Sequence, residues 1–210
     1  MENVWLKIPY QEYESHMHQI GQTAILASLF KHYVQTCRPK NILILGSATG
    51  NGLSAIPPAT TVTAIDINPS YLRVLKSRHS SLKDLHTICA DVSKITLRQN
   101  STGFIYISLL LEYIPDYISV LEKTAAALTP CGHLLLIIQL PSPQSTFVSP
   151  TAYSTLSLLS CFSSYTNPDL IKHYATQFGL HLSQEKDLQA PGHKTFKILF
   201  FQKPPVQEND

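Results

Sequence analysis

The chain has 210 residues, which is long enough for one domain with a full core and short for two. Its 16 lysines and arginines nearly balance 14 aspartates and glutamates, and no stretch holds five like charges, so the charge pattern gives no sign of a nucleic-acid or anionic-membrane partner. The four cysteines form no C-x-x-C pair, the first residues lack the basic and apolar stretches of a signal peptide, and no apolar run is long enough to cross a membrane. We therefore expect reduced thiols, a cytoplasmic protein, and no nucleic-acid or membrane partner.

The chain opens with a helical segment, which we assign to residues 1–40. Its apolar side chains recur at the spacing of one helical face, namely at Leu26, Leu29, Phe30, Tyr33 and Val34. Residues 41–45 follow as a strand that is apolar on both sides, which is typical of a parallel sheet covered by helices. We expect the main domain to span residues 41–203, with a frayed tail at 204–210.

A glycine-rich turn follows the first strand, at Gly46, Gly50 and Gly52. Glycine lacks the Cβ atom that would collide with a closely approaching ligand. The next apolar strand, residues 61–66, ends in Asp66, twenty positions after Gly46. An acid at that place can accept hydrogen bonds from both hydroxyls of a ribose. The turn and the acid together predict a site for an adenosine-containing ligand.

Strands and helices then alternate along the chain. The predicted elements are, in order, a helix over 69–79, strands over 85–90 and 104–109, a helix over 114–128 and a strand over 134–140. Pro115 falls near the first turn of the second of these helices, where a missing N–H costs little. The segment 129–132, Thr-Pro-Cys-Gly, is predicted to be the turn that ends that helix. This βαβ succession predicts a parallel sheet.

The last third of the chain has a different pattern. Residues 141–161 begin with a proline- and serine-rich loop of the kind that often covers a site, and are then weakly helical. Asn-Pro-Asp at 167–169 predicts the start of a further helix, and Gly179 its end. Strands predicted at 180–188 and 195–201 flank a short turn and indicate an antiparallel hairpin.

This arrangement resembles the class I S-adenosylmethionine-dependent methyltransferases over about residues 41–202. Five segments carry the resemblance, in the family's order: 42–50 for its first motif, 64–69 for the ribose motif, 89–92 for the adenine motif, 108–115 after strand four, and 128–134 for the turn into strand five. The resemblance implies an α/β, Rossmann-like seven-stranded sheet, with five parallel strands, a C-terminal antiparallel hairpin and helices on both faces. It also implies S-adenosylmethionine as the cofactor, a small-molecule methyl acceptor, and a monomer or homodimer.

The resemblance assigns a set of residues to the cofactor. They are Gly46, Ser47, Ala48 and Gly50 in the turn, Asp66 and Ile67 at the ribose, Asp91 and Val92 at the adenine, and Ser108 after the fourth strand. Alternatives remain, because Gly46 and Gly50 could be simple turn residues and Asp91 could merely cap a loop.

Two residues depart from the family pattern at the cofactor site. Ile44 stands where the family usually has an acidic residue that helps to hold the cofactor's amino end, and Ala48 stands where it usually has a middle glycine. Residues 108–111, Ser-Leu-Leu-Leu, replace the Asn/Asp-Pro-Pro-aromatic tetrad of the family's amide and nucleobase-amine enzymes. Methylation of that type is therefore not expected.

Three residues are candidates for a catalytic role. In this fold the N-terminal segment commonly covers the cofactor, which would bring Tyr13 or His16 near the methyl group as an aligning or proton-accepting residue. Glu112 lies just beyond the fourth strand and faces the expected methyl-transfer region. Each has an alternative: Tyr13 and His16 as packing residues, Glu112 as a helix-start residue that the helix dipole favours. The nine histidines lack metal-ligand spacing, so we predict no metal site.

Three functions are consistent with these observations. The first is methylation of a small-molecule acceptor bound between the N-terminal segment, residues 108–114 and the loop 141–165. The second is a non-catalytic methyltransferase-fold protein with a degenerate cofactor site, which Ile44 and Ala48 suggest. The third is an NAD(P)-dependent oxidoreductase, which is disfavoured because Ala48 and Asn51 fall where G-x-G-x-x-G requires glycine.

Overall fold

The computed structural model describes residues 3–206, which contain a seven-stranded sheet. The strands are β1 Asn41–Leu45, β2 Thr61–Asp66, β3 Leu85–Cys89, β4 Thr102–Ser108, β5 Leu128–Leu140, β6 His181–Ala190 and β7 Lys194–Gln202. Their spatial order is β3-β2-β1-β4-β5-β7-β6. The first five strands run parallel, and β7 pairs antiparallel with both β5 and β6. The predicted parallel sheet with a C-terminal antiparallel hairpin is confirmed.

Helices cover both faces of this sheet. They are α1 Tyr10–Gln19, α2 Gln22–Cys37, α3 Pro69–Arg78, α4 Tyr117–Ala127, α5 Ser154–Ser157 and α6 Pro168–Gln177. Apolar residues of α2 and α3 pack on one face, and those of α4 and α6 pack on the other. The predicted helices on both faces are therefore confirmed.

Local sequence signals explain where α3 and α6 begin. Both helices start at a proline, whose missing N–H costs nothing in the first turn. The preceding residue is an asparagine in each case: Asn68 accepts a hydrogen bond from Ser70 N at 2.9 Å, and Asn167 accepts one from Asp169 N at 2.9 Å. Gly179, with φ 81°, follows the end of α6.

The region between α4 and β5 differs from the prediction. The segment 129–132 is part of β5, which begins at Leu128 instead of at 134. Cys131 adopts a left-handed φ of 61°, and its N–H donates to Lys203 O at 2.9 Å. This distant backbone contact extends the strand through residues that locally favour a turn. In addition, α4 begins at Tyr117, so Pro115 precedes the helix instead of lying in its first turn.

The N-terminal segment packs against the loop after β5. Val4, Ile8, Leu156 and Leu159 form a separate buried apolar cluster, with α5 and a 3₁₀ turn at Leu158–Cys161 supplying its second half. Tyr153 OH and Ser15 Oγ lie 3.1 Å apart, and Thr155 Oγ1 donates to the Glu12 carboxylate. The weakly helical stretch predicted before 161 thus packs against α1 and the residues that precede it.

The described residues contain no helix that is both long and apolar enough to cross a bilayer. Within the same residues, no three histidine, cysteine, aspartate or glutamate side chains are grouped as metal ligands. Residues 203–206 have no regular secondary structure, and the rest of the predicted tail, 207–210, lies outside the described residues, as do residues 1 and 2.

Candidate active site

A cavity of about 1000 Å³ lies at the edge where the parallel strands end. The strand order reverses between β1 and β4, which is the point where open parallel sheets bind ligands. Its walls come from α1, the turn after β1, the ends of β2 to β5, and the loop after β5. A cavity of this size lies at the upper end of the range of about 300–1,000 Å³ for pockets that hold one small ligand. It is therefore large for one small ligand, which is consistent with a site shared by a cofactor and a small acceptor.

The turn after β1 has the backbone of a ligand-binding loop. Gly46, Ala48 and Gly50 all have positive φ, at 70°, 45° and 85°. Ala48 is strained there, because its Cβ crowds the backbone in the left-handed region. A Cβ on Gly46 would come within 3.0 Å of the Leu110 side chain, and one on Gly50 within 3.0 Å of His79. These two glycines are therefore required by backbone conformation and by protein neighbours, in addition to any ligand.

Asp66 lies at the end of β2 and is 9% exposed. Its Oδ2 accepts a hydrogen bond from Ala48 N, and its Oδ1 accepts one from Asn68 N, both at 2.8 Å. Burial raises the pKa of this carboxyl group, although these backbone hydrogen bonds oppose the effect. Each carboxylate oxygen keeps a further acceptor position. Asp66 thus joins the glycine turn to β2 and can still accept from a ribose.

The second ribose residue, Ile67, and the residues assigned to the adenine lie along the same cavity. Ile67, Asp91 and Val92 all line it, beyond the ends of β2 and β3. Asp91 Oδ1 accepts hydrogen bonds from Ser93 N at 3.0 Å and Ser93 Oγ at 2.6 Å. Although burial raises it, these hydrogen bonds and Lys94 hold the pKa of Asp91 below its usual range. Asp91 therefore caps the loop, as its alternative interpretation required, and also borders the cavity.

Three buried polar atoms on the cavity wall have no hydrogen-bond partner among residues 3–206. They are Trp5 Nε1, Ser47 Oγ and Tyr71 OH. Buried polar groups are normally paired, because an unpaired group costs about 1–3 kcal/mol. These groups line the same cavity as the turn and Asp66, so the residues present fit a polar ligand such as the expected cofactor.

Ile44 is 3% exposed and lies in the apolar core, with only part of its surface at the cavity. The register of β1 and β4 pairs Ile44 with Tyr106. Tyr106 lines the cavity two residues before Ser108 and on the same side of the strand. Burial raises the pKa of Tyr106 to about 12, so the neutral phenol is the form present at neutral pH. The hydroxyl groups of Tyr106 and Ser108 thus lie on the same side of the sheet as Ile44, the position where the family usually has an acid.

Two of the three proposed catalytic residues, Tyr13 and His16, line the cavity, one turn apart on α1. Tyr13 stacks on Tyr71 with ring centroids 5.6 Å apart. Burial raises the pKa of Tyr13, and the nearby Asp66 carboxylate raises it further. Tyr13 therefore lies near Asp66, at the end of the cavity where the nucleoside is expected. His16 is 5% exposed, and burial, followed by the charge of Lys194, lowers its pKa.

The third of these residues, Glu112, lies behind the cavity wall. It is 1% exposed and does not line the cavity. Its Oε1 accepts a hydrogen bond from Gln139 N at 2.7 Å, while Oε2 has no partner among the described residues. Burial raises the pKa of Glu112 to about 7. This geometry supports a role in holding the end of β5, in place of contact with an acceptor.

Glu14 connects three parts of the site. It accepts a hydrogen bond from Thr49 Oγ1 at 2.5 Å and forms a two-point ion pair with Arg78 of α3, in which Arg78 Nη2 and Glu14 Oε2 are 2.8 Å apart. Although burial raises it, Arg78 and Thr49 hold the pKa of Glu14 below its usual range. These contacts fix α1 against the glycine turn. The sequence alone gave no reason to single out Glu14.

Lys194 and Gln139 are two cavity residues that the sequence interpretation missed. Lys194 is the first residue of β7 and is 2% exposed; its Nζ donates to Gln139 Oε1 at 3.1 Å and to Phe147 O at 2.5 Å. A signal was available, because Lys194 is in phase with Phe196 and Ile198, which are fully buried. A lysine on the buried side of an apolar strand marks a candidate functional position.

Comparisons with known proteins agree with this geometry. Residues 43–136 match the family model described as a methyltransferase domain. The chain is 25% identical, over 142 residues, to the demethylmenaquinone methyltransferase of Staphylococcus epidermidis, a match that covers 67% of this chain and 56% of that protein. The chain thus matches little more than half the length of that relative.

Solved structures share the fold. The N-methyltransferase NodS from Bradyrhizobium japonicum, solved in complex with S-adenosylhomocysteine, has a TM-score of 0.63 at 16% identity, with 93% of this chain and 88% of that one covered. The S-adenosylmethionine-dependent methyltransferase from Mesorhizobium loti has a TM-score of 0.64 at 14% identity, with 79% and 91% covered. At these identities the likeness establishes the fold alone.

Proposed function

We propose that this chain, whose residues 43–136 match a methyltransferase domain, transfers a methyl group from S-adenosylmethionine to a small-molecule acceptor. The observation that carries the proposal is the single cavity, which joins the glycine turn and Asp66 at one end to His16 and Lys194 at the other. One continuous cavity for both ligands is what a direct transfer between them requires.

The geometry supports the following roles for the residues that would hold the cofactor. Asp66 would accept hydrogen bonds from the ribose hydroxyls with Ile67 beside it, while Asp91 and Val92 would contact the adenine. The unpartnered hydroxyl of Ser47, together with the hydroxyl of Ser108, would bind the polar groups of its amino-acid end. When bound, the cofactor supplies a methyl group on a positively charged sulfur, which is already a strong electrophile.

The protein's part in the reaction is therefore mainly to position the acceptor and exclude water. His16 is the residue that we propose as a proton acceptor for acceptors that must lose a proton, because its lowered pKa keeps the imidazole neutral at pH 7. Tyr13 cannot act as a phenolate base, since its pKa is raised far above neutrality. We propose that Tyr13 instead closes the cavity over the nucleoside.

Titration calorimetry with S-adenosylmethionine, S-adenosylhomocysteine and NAD tests this proposal. We expect micromolar binding of both adenosyl ligands and no binding of NAD. Binding of NAD alone would instead favour the oxidoreductase alternative.

A second candidate function is a non-catalytic protein of the same fold with a degenerate cofactor site. The specific observation in its favour is the pair of departures in the first motif, because Ile44 is buried in the core and Ala48 is strained at φ 45°. Failure of all three ligands to bind a folded protein would support this function, and the search would then turn to protein partners.

A further inference from the structure

We infer that the acceptor is an organic acid whose anionic group is bound by Lys194 at the end of the cavity away from the nucleoside site. This inference rests on the proposed methyltransferase function and adds the substrate class. It is carried by the position of Lys194, by the partners of its ammonium group, and by the distribution of charge around the cavity.

The ammonium group of Lys194 is buried against neutral oxygens only. Its three partners are Gln139 Oε1 at 3.1 Å, Phe147 O at 2.5 Å and Thr146 O at 3.4 Å. Among residues 3–206 no carboxylate forms an ion pair with it. A buried charge without a counter-charge is costly, so such groups are normally paired or have a function. An anionic ligand in the cavity would supply the missing charge.

The charges that line the cavity are separated by sign. Its described carboxylates are Asp66 and Asp91, which border the nucleoside site, and Glu14, which is paired with Arg78. The other end has Lys194 and the imidazole of His16, together with uncharged residues of the loop after β5 such as Phe147 and Val148. An acid would therefore meet attraction at this end, and the carboxylates that line the cavity would repel it only near the nucleoside.

Strand order places Lys194 away from the cofactor's expected position. The glycine turn follows β1, and three steps across the sheet, through β4 and β5, lead to β7. At about 4.8 Å a step, Lys194 starts roughly 14 Å from the turn. Because β7 runs antiparallel to β5, its first residue nevertheless lies at the edge where the parallel strands end. This position fits an acceptor group better than the amino-acid end of the cofactor.

The ionisation of Lys194 is compatible with this role. Burial lowers its pKa to about 8, so most molecules keep the proton at pH 7. The groups that face it are His16, whose pKa Lys194 itself lowers, and the neutral oxygens named above. Its contacts with the carbonyls of Thr146 and Phe147 also join it to the loop after β5. An acid bound at Lys194 would therefore be held against the loop that covers the cavity.

The experiment compares carboxylic acids with their neutral amides. Benzoate and benzamide, and phenylacetate and phenylacetamide, have matched shapes and differ in charge, and aromatic probes suit the side chains of Tyr113 and Phe147 at this end. Binding is measured by ligand-observed NMR, with and without S-adenosylhomocysteine. We expect each acid to bind at least about tenfold more tightly than its amide, since hydrogen bonds between charged groups are stronger than those to neutral ones.

Lys194→Met removes the charge and retains an unbranched apolar side chain, so we expect it to abolish the preference for acids. Lys76→Met is the matched control, because Lys76 is exposed on α3 and outside the cavity, and it should retain the preference. If Lys194→Met does not fold, the comparison of acids with amides in the unchanged protein decides the question alone.

Three results would overturn the inference. They are equal affinity for acids and amides, no binding of either with or without S-adenosylhomocysteine, and an acid preference that persists in folded Lys194→Met. A fourth would reassign the lysine: if Lys194→Met weakens S-adenosylhomocysteine but not 5′-methylthioadenosine, which lacks the carboxylate, then Lys194 binds the cofactor. Failure of the unchanged protein to bind S-adenosylhomocysteine would refute the proposed function separately, because the acid preference is also measured without it.

Discussion

Replacement of Asp66 tests the nucleoside site most directly. Its carboxylate accepts hydrogen bonds from Ala48 N and Asn68 N, both at 2.8 Å, so it has a structural role besides any contact with a ribose. Asp66→Ala would leave two buried N–H groups unpaired. Asp66→Asn is the better perturbation, because its amide oxygen still accepts one of the two hydrogen bonds.

The expected magnitudes follow from these contacts. An unpaired buried donor costs about 1–3 kcal/mol, so Asp66→Asn should lower the free energy of unfolding by about that amount, and Asp66→Ala by about twice as much. The loss of a charged acceptor for the ribose hydroxyls should cost a further 1.5–3 kcal/mol of binding, which is a fall in affinity of about 10- to 100-fold.

Calorimetry with S-adenosylhomocysteine measures the binding change, and urea unfolding of the ligand-free protein measures the stability change. Asp84→Asn is the matched control, since Asp84 is on the surface before β3, pairs with Thr61 and His86, and does not line the cavity. Unchanged affinity in a folded Asp66→Asn variant would refute the ribose assignment. Unchanged stability would refute the view that Asp66 holds the glycine turn.

Two further predictions concern strain and burial near the cavity. Ala48→Gly should raise the free energy of unfolding by about 0.5–1 kcal/mol, because relief of a left-handed alanine outweighs the entropy that glycine gains in the unfolded chain; a loss of stability in urea unfolding would contradict the strain. The pKa of Glu112 is raised from 4.5 to about 7, so the stability that its protonated form contributes is full below pH 4.5 and is lost as the pH rises through 7. Glu112→Gln keeps the acceptor for Gln139 N, so it should be more stable than the unchanged protein at pH 8, by up to about 3 kcal/mol, and nearly equal to it at pH 4. A stability difference that is the same at both pH values would contradict the raised pKa.

Much of the fold could be predicted because its signals are local. The starts of α3 and α6 are set by an asparagine and a proline next to each other, and the buried strands are set by apolar runs. The start of β5 could not be predicted in this way. Residues 129–132 favour a turn locally, but the hydrogen bonds between Cys131 N and Lys203 O and between Lys203 N and Gly132 O extend the strand. Such contacts depend on chain segments far apart in sequence.

The site residues divide in the same way, into those that a local motif marks and those that only the folded chain brings to the cavity. The glycine turn and Asp66 are marked by short motifs, and both lie on the cavity. Lys194 belongs to no motif: it reaches the cavity because the antiparallel β7 starts at the edge where the parallel strands end. Glu112 is the opposite case. Its place after strand four predicts a catalytic role, but its carboxylate lies behind the cavity wall and accepts a hydrogen bond from Gln139 N.

The departure at Ile44 can be weighed in the same terms. A carboxylate there would be buried at the edge of the apolar core beside Tyr106, and its ionised form would need a partner. Isoleucine avoids that cost, and full burial of such a side chain contributes about 1.5–3 kcal/mol to stability. What remains for the cofactor's amino end is neutral: the hydroxyls of Ser47, Tyr106 and Ser108. Exchanging a charged hydrogen bond for a neutral one costs about 1 kcal/mol, or about fivefold in affinity. Because that loss weakens a cofactor site without abolishing it, Ile44 by itself does not favour the non-catalytic alternative, and measured affinity for S-adenosylhomocysteine decides between the two functions.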